Sequence, residues 1–275
     1  MQTRYIPDPV RFKQMDTQEL RDSLIVDNLF LPGEVKLVYT DLDRAIIGAA
    51  TPASSPLKLA APEEMRAEFF CKRREVGVLN VGHAGRVEVD GAGYDLDNLD
   101  CLYIGRGSKD IQFSSSDPKK PAGFYLLSYP AHTEYPVKKA TPDDAQVANL
   151  GSKDACNERS LFKYIHPDGI QSCQLVMGYT VVAPGSVWNT MPPHTHERRM
   201  EAYLYFGVED GKVFHFCGDP QETRHLVISD RQVVLSPSWS IHSGAGTRHY
   251  AFCWGMGGEN QDFSDMDPLT LDDLK

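Results

Sequence analysis

One short segment concentrates the candidate chemistry of this chain: Pro192-Pro193-His194-Thr195-His196-Glu197-Arg198-Arg199-Met200-Glu201. On a strand, residues i and i+2 face the same side, so His194 and His196 can aim two imidazoles at one point. Glu201 follows after a four-residue gap, enough for a turn or bulge to bring a carboxylate back to them. His242 comes about forty residues later, in a Pro-x-Trp-x-x-His turn that fits a strand junction. Three neutral imidazoles and one carboxylate suit a first-row divalent ion and leave positions for water or substrate. Among nine histidines a His-x-His pair is a weak signal. Its coincidence with a spaced Glu and a downstream turn His predicts a metal site at His194, His196, Glu201 and His242.

The rest of the chain must position those four side chains. Short apolar runs rich in Val, Ile, Leu and Tyr recur at 35–40, 45–49, 76–81, 86–90, 101–104, 110–113 and 123–129. A second series covers 172–183, 202–206, 212–216, 225–229, 232–235 and 249–254. Gly, Pro, Asp or Ser separates them. Many short strands with frequent turns predict an all-β antiparallel sandwich or barrel rather than a βαβ protein. One helix start stands out at Asp16-Thr17-Gln18-Glu19, an Asp cap with Glu at its third helical position, followed by Leu20 and Leu24. No glycine-rich phosphate loop lies between a strand and a helix.

Composition narrows the class. The 275 residues carry 28 Lys+Arg against 38 Asp+Glu, a net charge of -10. That balance opposes sequence-independent nucleic-acid binding, which needs surplus cations to release counterions. No apolar run approaches the roughly eighteen residues of a membrane-spanning helix. The first residues lack the apolar core of a signal peptide, so the expected setting is soluble and cytoplasmic. Six scattered cysteines without a CxxC read as buried free thiols.

The two halves read as a repeat. The segment from Gly85 through Asp90 and Cys101–Ile104 to Phe113 sets strands, a Gly-containing turn and a polar residue in one order. Residues 232–242 repeat that order. A duplicated small barrel divides at 1–140 and 141–275, with the stretch 138–159 as connector and a turn at Thr141-Pro142-Asp143-Asp144.

Gly185, His194-x-His196-x4-Glu201 and then Pro237 to His242 resemble the two motifs of the cupin superfamily. Longer segments match more narrowly: Trp188-Asn189-Thr190-Met191-Pro192, Pro220-Gln221-Glu222-Thr223-Arg224-His225, Ser236-Pro237-Ser238-Trp239-Ser240-Ile241-His242-Ser243-Gly244 and Gly258-Glu259-Asn260-Gln261. With Arg73-Arg74-Glu75-Val76-Gly77 and Tyr135-Pro136 they span the chain. On these residues it resembles the 4-deoxy-L-threo-5-hexosulose-uronate ketol-isomerase family, also called 5-keto-4-deoxyuronate isomerases. Two features depart from a generic cupin: eight residues rather than five separate Gly185 from His194, and Gly207 comes one residue early. Neither touches a proposed ligand.

The resemblance implies two cupin-type β-barrels (a bicupin) with a few short helices, and one zinc ion per subunit. The zinc ligands would be His194, His196, Glu201 and His242 of the C-terminal barrel. The N-terminal barrel, where Asp110 stands at the expected ligand position and His83 is a lone histidine, would have lost its metal. The implied partner is a small keto-uronate, and the implied assembly a homo-oligomer, a hexamer. The implied reaction converts 5-dehydro-4-deoxy-D-glucuronate to 3-deoxy-D-glycero-2,5-hexodiulosonate, an aldose–ketose exchange that a divalent ion assists by polarising carbonyl and hydroxyl together.

Around that reaction the residues leave alternatives open. Glu201 is a metal ligand first and a proton carrier only by partly releasing the ion. Arg198 shares the parity of His194 and His196, so a regular strand would point it inward. Glu259 would return over the site from a loop. Arg199, Arg159 and Lys163 are cations able to clamp a substrate carboxylate. Tyr203, Tyr205 and Trp239 would line a cavity or simply fill core. Competing functions are a cupin Fe(II) dioxygenase, because the same ligands hold iron, and a non-enzymatic sugar-binding cupin.

Overall fold

The computed structural model describes residues 1–259 and 261–275. Asn260 of the Gly258–Gln261 motif therefore lies outside the described residues. The chain forms two compact units, each built from a seven-stranded and a four-stranded sheet. Helices are few and short, as expected; the longest among the described residues is Thr17–Leu24. It starts as its sequence dictates. Asp16 accepts from the Glu19 amide while Glu19 caps the Asp16 amide, and Leu20 and Leu24 are buried.

The two halves repeat one topology. In the first, Arg74–Asn80 lies between Phe124–Pro130 and Cys101–Ile104; in the second, Arg199–Phe206 lies between Ala251–Gly258 and Val233–Ser236. In each half the strand after Arg74–Asn80 or Arg199–Phe206 in sheet order leads through a turn into the four-stranded sheet. Asp110 immediately precedes Ile111–Ser115, and His242 immediately precedes Ser243–Gly246. The repeat read from residues 85–113 and 232–242 is thus real in three dimensions. In the four-stranded sheet of the first unit, Gly85–Val89 is buried at every second residue, which is the period of a strand with one covered face. Arg199–Phe206, at the centre of its sheet, is buried at every position.

The units are not divided by a single cut near 140. The first comprises Met1–Thr3, Asn28–Ala145 and Tyr164–Val176; the second comprises Arg4–Asp27, Gln146–Lys163 and Met177–Lys275. The physical reason is edge pairing. Ile25 and Val26 hydrogen-bond alongside Val234 and Val233, adding a strand to the second sheet. Nor is 138–159 simply a connector: Lys138–Ala140 pairs with Cys101–Ile104, and Gln146–Leu150 forms a ladder with Arg159–Ile165. Within the first unit, fully buried Glu75 accepts the Tyr103 hydroxyl at 2.8 Å. It also takes the amides of Cys173, Gln174 and Leu175 at 2.7, 2.7 and 2.9 Å. That carboxylate pins segment 173–175 to its sheet. Five of the six cysteines are buried free thiols and Cys156 is exposed.

Candidate metal centre

His194 and His196 sit on the short strand His194–His196, which bends at Glu197 and Arg198 before Arg199–Phe206 begins. The bend returns Glu201 to the two imidazoles. His242 arrives from the turn after Val233–Ser236, and its Nδ1 faces the Ser240 carbonyl at 3.4 Å. A carbonyl can only accept, so this contact keeps the proton on Nδ1 and leaves Nε2 as a lone-pair donor towards the site.

The four donors converge. Nε2 of His194 lies 3.2 Å from Nε2 of His196 and 3.0 Å from Nε2 of His242. The Glu201 Oε2 is 3.3 Å from His196 Nε2 and 3.0 Å from His242 Nε2. Nitrogens that would gain nothing from each other as neutral bases are held at separations that fit donors sharing one ion at roughly 2.0–2.2 Å. His196, Glu201 and His242 are buried and His194 is half-buried. Burial, reinforced by the neighbouring His242, pushes His194 down to about 3, so its ring is neutral and able to ligate. Burial alone would raise the Glu201 carboxyl, but the His242 and His196 rings beside it outweigh this and hold it well below the ordinary range. The set therefore brings one carboxylate to three imidazoles, and can hold a divalent metal ion.

A cavity of about 370 Å³ opens over His194, His196 and Glu201. Arg159 and Lys163 bring two cations to its wall from one strand, at the i, i+4 positions that share a face. Tyr203, two residues after Glu201, lines it as well. Burial, with the Glu201 carboxylate beside it, holds the Tyr203 phenol well above its ordinary value and so protonated. Leu150, Leu161, Phe252, Trp254 and Met256 supply apolar wall. Among the described residues, Glu201 is the sole carboxylate lining this cavity.

Residues 29–269 match the KduI/IolB family. The chain belongs to that family. It is 51% identical over 276 residues to a 4-deoxy-L-threo-5-hexosulose-uronate ketol-isomerase of Lachnoclostridium phytofermentans, and 50% identical to one of Halalkalibacterium halodurans, each match covering 100% of both chains. Among solved structures, an IolB-like protein from Salmonella typhimurium superposes with a TM-score of 0.73 at 14% identity, covering 90% of this chain and 96% of that one. Hazelnut vicilin superposes with a TM-score of 0.55 over 85% of each chain. These likenesses establish the cupin-type fold, and the relatives make the chain a uronate isomerase enzyme.

The remaining residues singled out by sequence separate cleanly. Arg198 does not point inward: the bend at 197–198 breaks the strand parity, and Arg198 lies on the surface paired with Glu259 at 3.0 Å, the two side chains 62% and 67% exposed. Neither lines the cavity. Arg199 is buried but turned away from it, its guanidinium paired with Asp265. Trp239 packs edge-on against Phe12, ring centroids 5.1 Å apart, and does not line the cavity. Tyr205 lies deeper, its hydroxyl 2.7 Å from Nδ1 of buried His215. In the first unit Asp110 pairs with Lys58 at 2.7 Å on an exposed edge. Sequence reasoning missed Phe263 and Met266, which line the cavity, and Asp265 behind His196. One signal was available: Phe263 and Met266 are the large apolar residues in an otherwise acidic stretch, Asp262 to Asp267.

Proposed function

We propose that the site binds zinc through His194, His196, Glu201 and His242 and interconverts 5-dehydro-4-deoxy-D-glucuronate and 3-deoxy-D-glycero-2,5-hexodiulosonate. The observation that carries the reading is one cavity holding a metal-donor set together with Arg159 and Lys163. The substrate is a small keto-uronate anion, and it needs both. The bound ion supplies Lewis-acid polarisation of the carbonyl and of the hydroxyl oxygen beside it.

The chain's own groups do the rest. Arg159 and Lys163 bind the carboxylate and fix which end of the sugar meets the donors. Glu201, ionised and among the described residues the sole carboxylate of the wall, takes the proton from the carbon next to the carbonyl and returns it to the former carbonyl carbon. Tyr203 holds a proton at its hydroxyl beside Glu201 and stabilises charge developing on the substrate oxygens. The apolar wall from Leu150 to Trp254 excludes water that would otherwise exchange that proton. The first unit, with Asp110 spent on Lys58, serves as scaffold and carries no metal. The chain assembles as a homo-oligomer of six subunits; light scattering that reads a monomer at micromolar concentration rejects this last element.

Anaerobic assay with enzymatically prepared 5-dehydro-4-deoxyuronate, with and without chelator, tests the whole. Turnover is expected without oxygen and is lost on metal removal. Oxygen consumption with no isomerisation would favour the dioxygenase alternative. Binding of the sugar without turnover would leave a sugar-binding cupin.

A further inference from the structure

Met266–Pro268 forms a two-stranded ladder with His194–His196, setting Pro268 opposite His194 and Met266 opposite His196. The Leu269 amide adds a bond to the Pro193 carbonyl at 3.1 Å. The metal-ligand strand thus takes its ladder partner from this segment. Just before that ladder, Asp265 turns its carboxylate inward, 9% exposed. It pairs with Nη2 of fully buried Arg199, and its Oδ1 lies 3.7 Å from Nδ1 of His196. Nε of Arg199 approaches the same nitrogen, 3.5 Å from Nδ1.

Chemistry decides which of the two partners matters. A neutral imidazole that gives its Nε2 lone pair to an ion carries its proton on Nδ1. A protonated Nδ1 cannot accept from the Arg199 Nε–H, but it can donate to the Asp265 carboxylate. Arg199, whose Nη1 is buried without a partner, then serves to hold that carboxylate in place. His242 solves the same problem with the Ser240 carbonyl, 3.4 Å from its Nδ1. Two of the three imidazoles thus have an acceptor at their far nitrogen, one from the local turn and one from a segment more than sixty residues downstream.

We infer that Asp265, carried by the C-terminal segment and held by Arg199, is a positioning residue: it accepts from His196 Nδ1 and fixes the tautomer and ring plane in which His196 meets the metal. The inference rests on the metal reading of the site and not on the substrate assigned to it. Partners of this kind are worth roughly 10–100-fold in metal affinity. Asp265→Asn keeps size and removes the charge; Asp265→Ser removes the acceptor with less bulk; Asp265→Glu keeps a carboxylate. Asp267→Asn, exposed and opposite Thr195 in the same ladder, is the control.

The readout is zinc affinity by chelator competition on full-length protein of wild-type circular dichroism, together with the visible bands of the cobalt-substituted form. Asn and Ser are expected to weaken zinc about 10–100-fold and to shift the cobalt bands. Glu is expected to retain affinity within about threefold of wild type, and Asp267→Asn to match wild type. Wild-type affinity and an unchanged cobalt spectrum in Asp265→Asn or Asp265→Ser would overturn the inference. So would equal losses in Asn, Ser and Glu, which would assign the effect to packing. A wild-type protein that binds no divalent ion would overturn the metal reading itself, and is told apart from the other failures by that single measurement.

Discussion

Lys163→Met offers the sharpest test of how the substrate is held. The side chain lies on the cavity wall, with Nζ 4.9 Å from the Phe263 ring centroid, on the strand that also carries Arg159. Met keeps the length and apolar stem and deletes the charge. A unit charge pair at about 3 Å is worth on the order of 5 kcal/mol at an effective dielectric of 20. Lys163 is half-buried, so solvent screening and the cost of fixing the chain reduce this to the range of a charge-assisted hydrogen bond, about 1.5–3 kcal/mol. Each 1.4 kcal/mol is about tenfold, so KM should rise roughly 10–100-fold. The interaction is with a carboxylate that does not react, so it is made equally before and during the chemical step, and kcat should change by only about threefold. Steady-state kinetics on metal-counted samples would read both constants, with the methyl ester of the substrate as comparison. Wild type should discriminate strongly against the ester, and Lys163→Met should not. A KM within about twofold of wild type, or undiminished discrimination against the ester, refutes the assignment of Lys163 to the carboxylate.

Glu201→Gln keeps an oxygen donor but loses the charge, so zinc should bind at least about tenfold more weakly; at zinc levels that restore full occupancy, turnover should still stay about 100-fold down or more, because the amide cannot carry the proton, and recovery to wild-type rates would leave Glu201 a ligand only. His215 is fully buried and its pKa is lowered by burial to about 3, so the folded state binds fewer protons than the unfolded state between that value and about 6.5. Stability should therefore be fully present above about pH 6.5 and fall as pH drops, by about 1–2 kcal/mol by pH 5 from this group. Urea unfolding of metal-free protein should show a shallower pH slope for His215→Gln than for wild type, with the remaining slope owed partly to His194. Glu75→Gln places an amide donor among the Tyr103 hydroxyl and three backbone amides that now donate to the carboxylate. It should cost about 2–4 kcal/mol in chemical denaturation, and a loss below about 0.5 kcal/mol would mean that this carboxylate is not what anchors segment 173–175.

The grouping of His194, His196 and Glu201 was legible in the linear sequence because it is written in local geometry. His194 and His196 face one side by strand period, and a short bend suffices to return Glu201. The strand runs and the duplicated order of 85–113 and 232–242 were legible for the same reason: period and turn residues are local properties. The identity of Arg159 and Lys163 as candidates was also available, since both are cations at strand spacing, but whether they reach the cavity was not.

What the sequence left undecided depended on contacts between segments distant along the chain. Parity placed Arg198 inward, but the bend that delivers Glu201 also throws Arg198 to the surface, where Glu259 meets it. The cut near 140 followed the repeat and the turn at 141–144, whereas residues 4–27 join the second unit because Ile25 and Val26 satisfy the backbone groups of the strand Val233–Ser236. Asp265 and Phe263 lie in a stretch without strand period; the ladder of Met266–Pro268 on His194–His196 brings one behind His196 and the other onto the cavity wall. Three of the four donors were set by residue type and spacing within a few positions. The arrival of His242, and the choice of which charges face the cavity, were set by pairing across the fold, which no local period encodes.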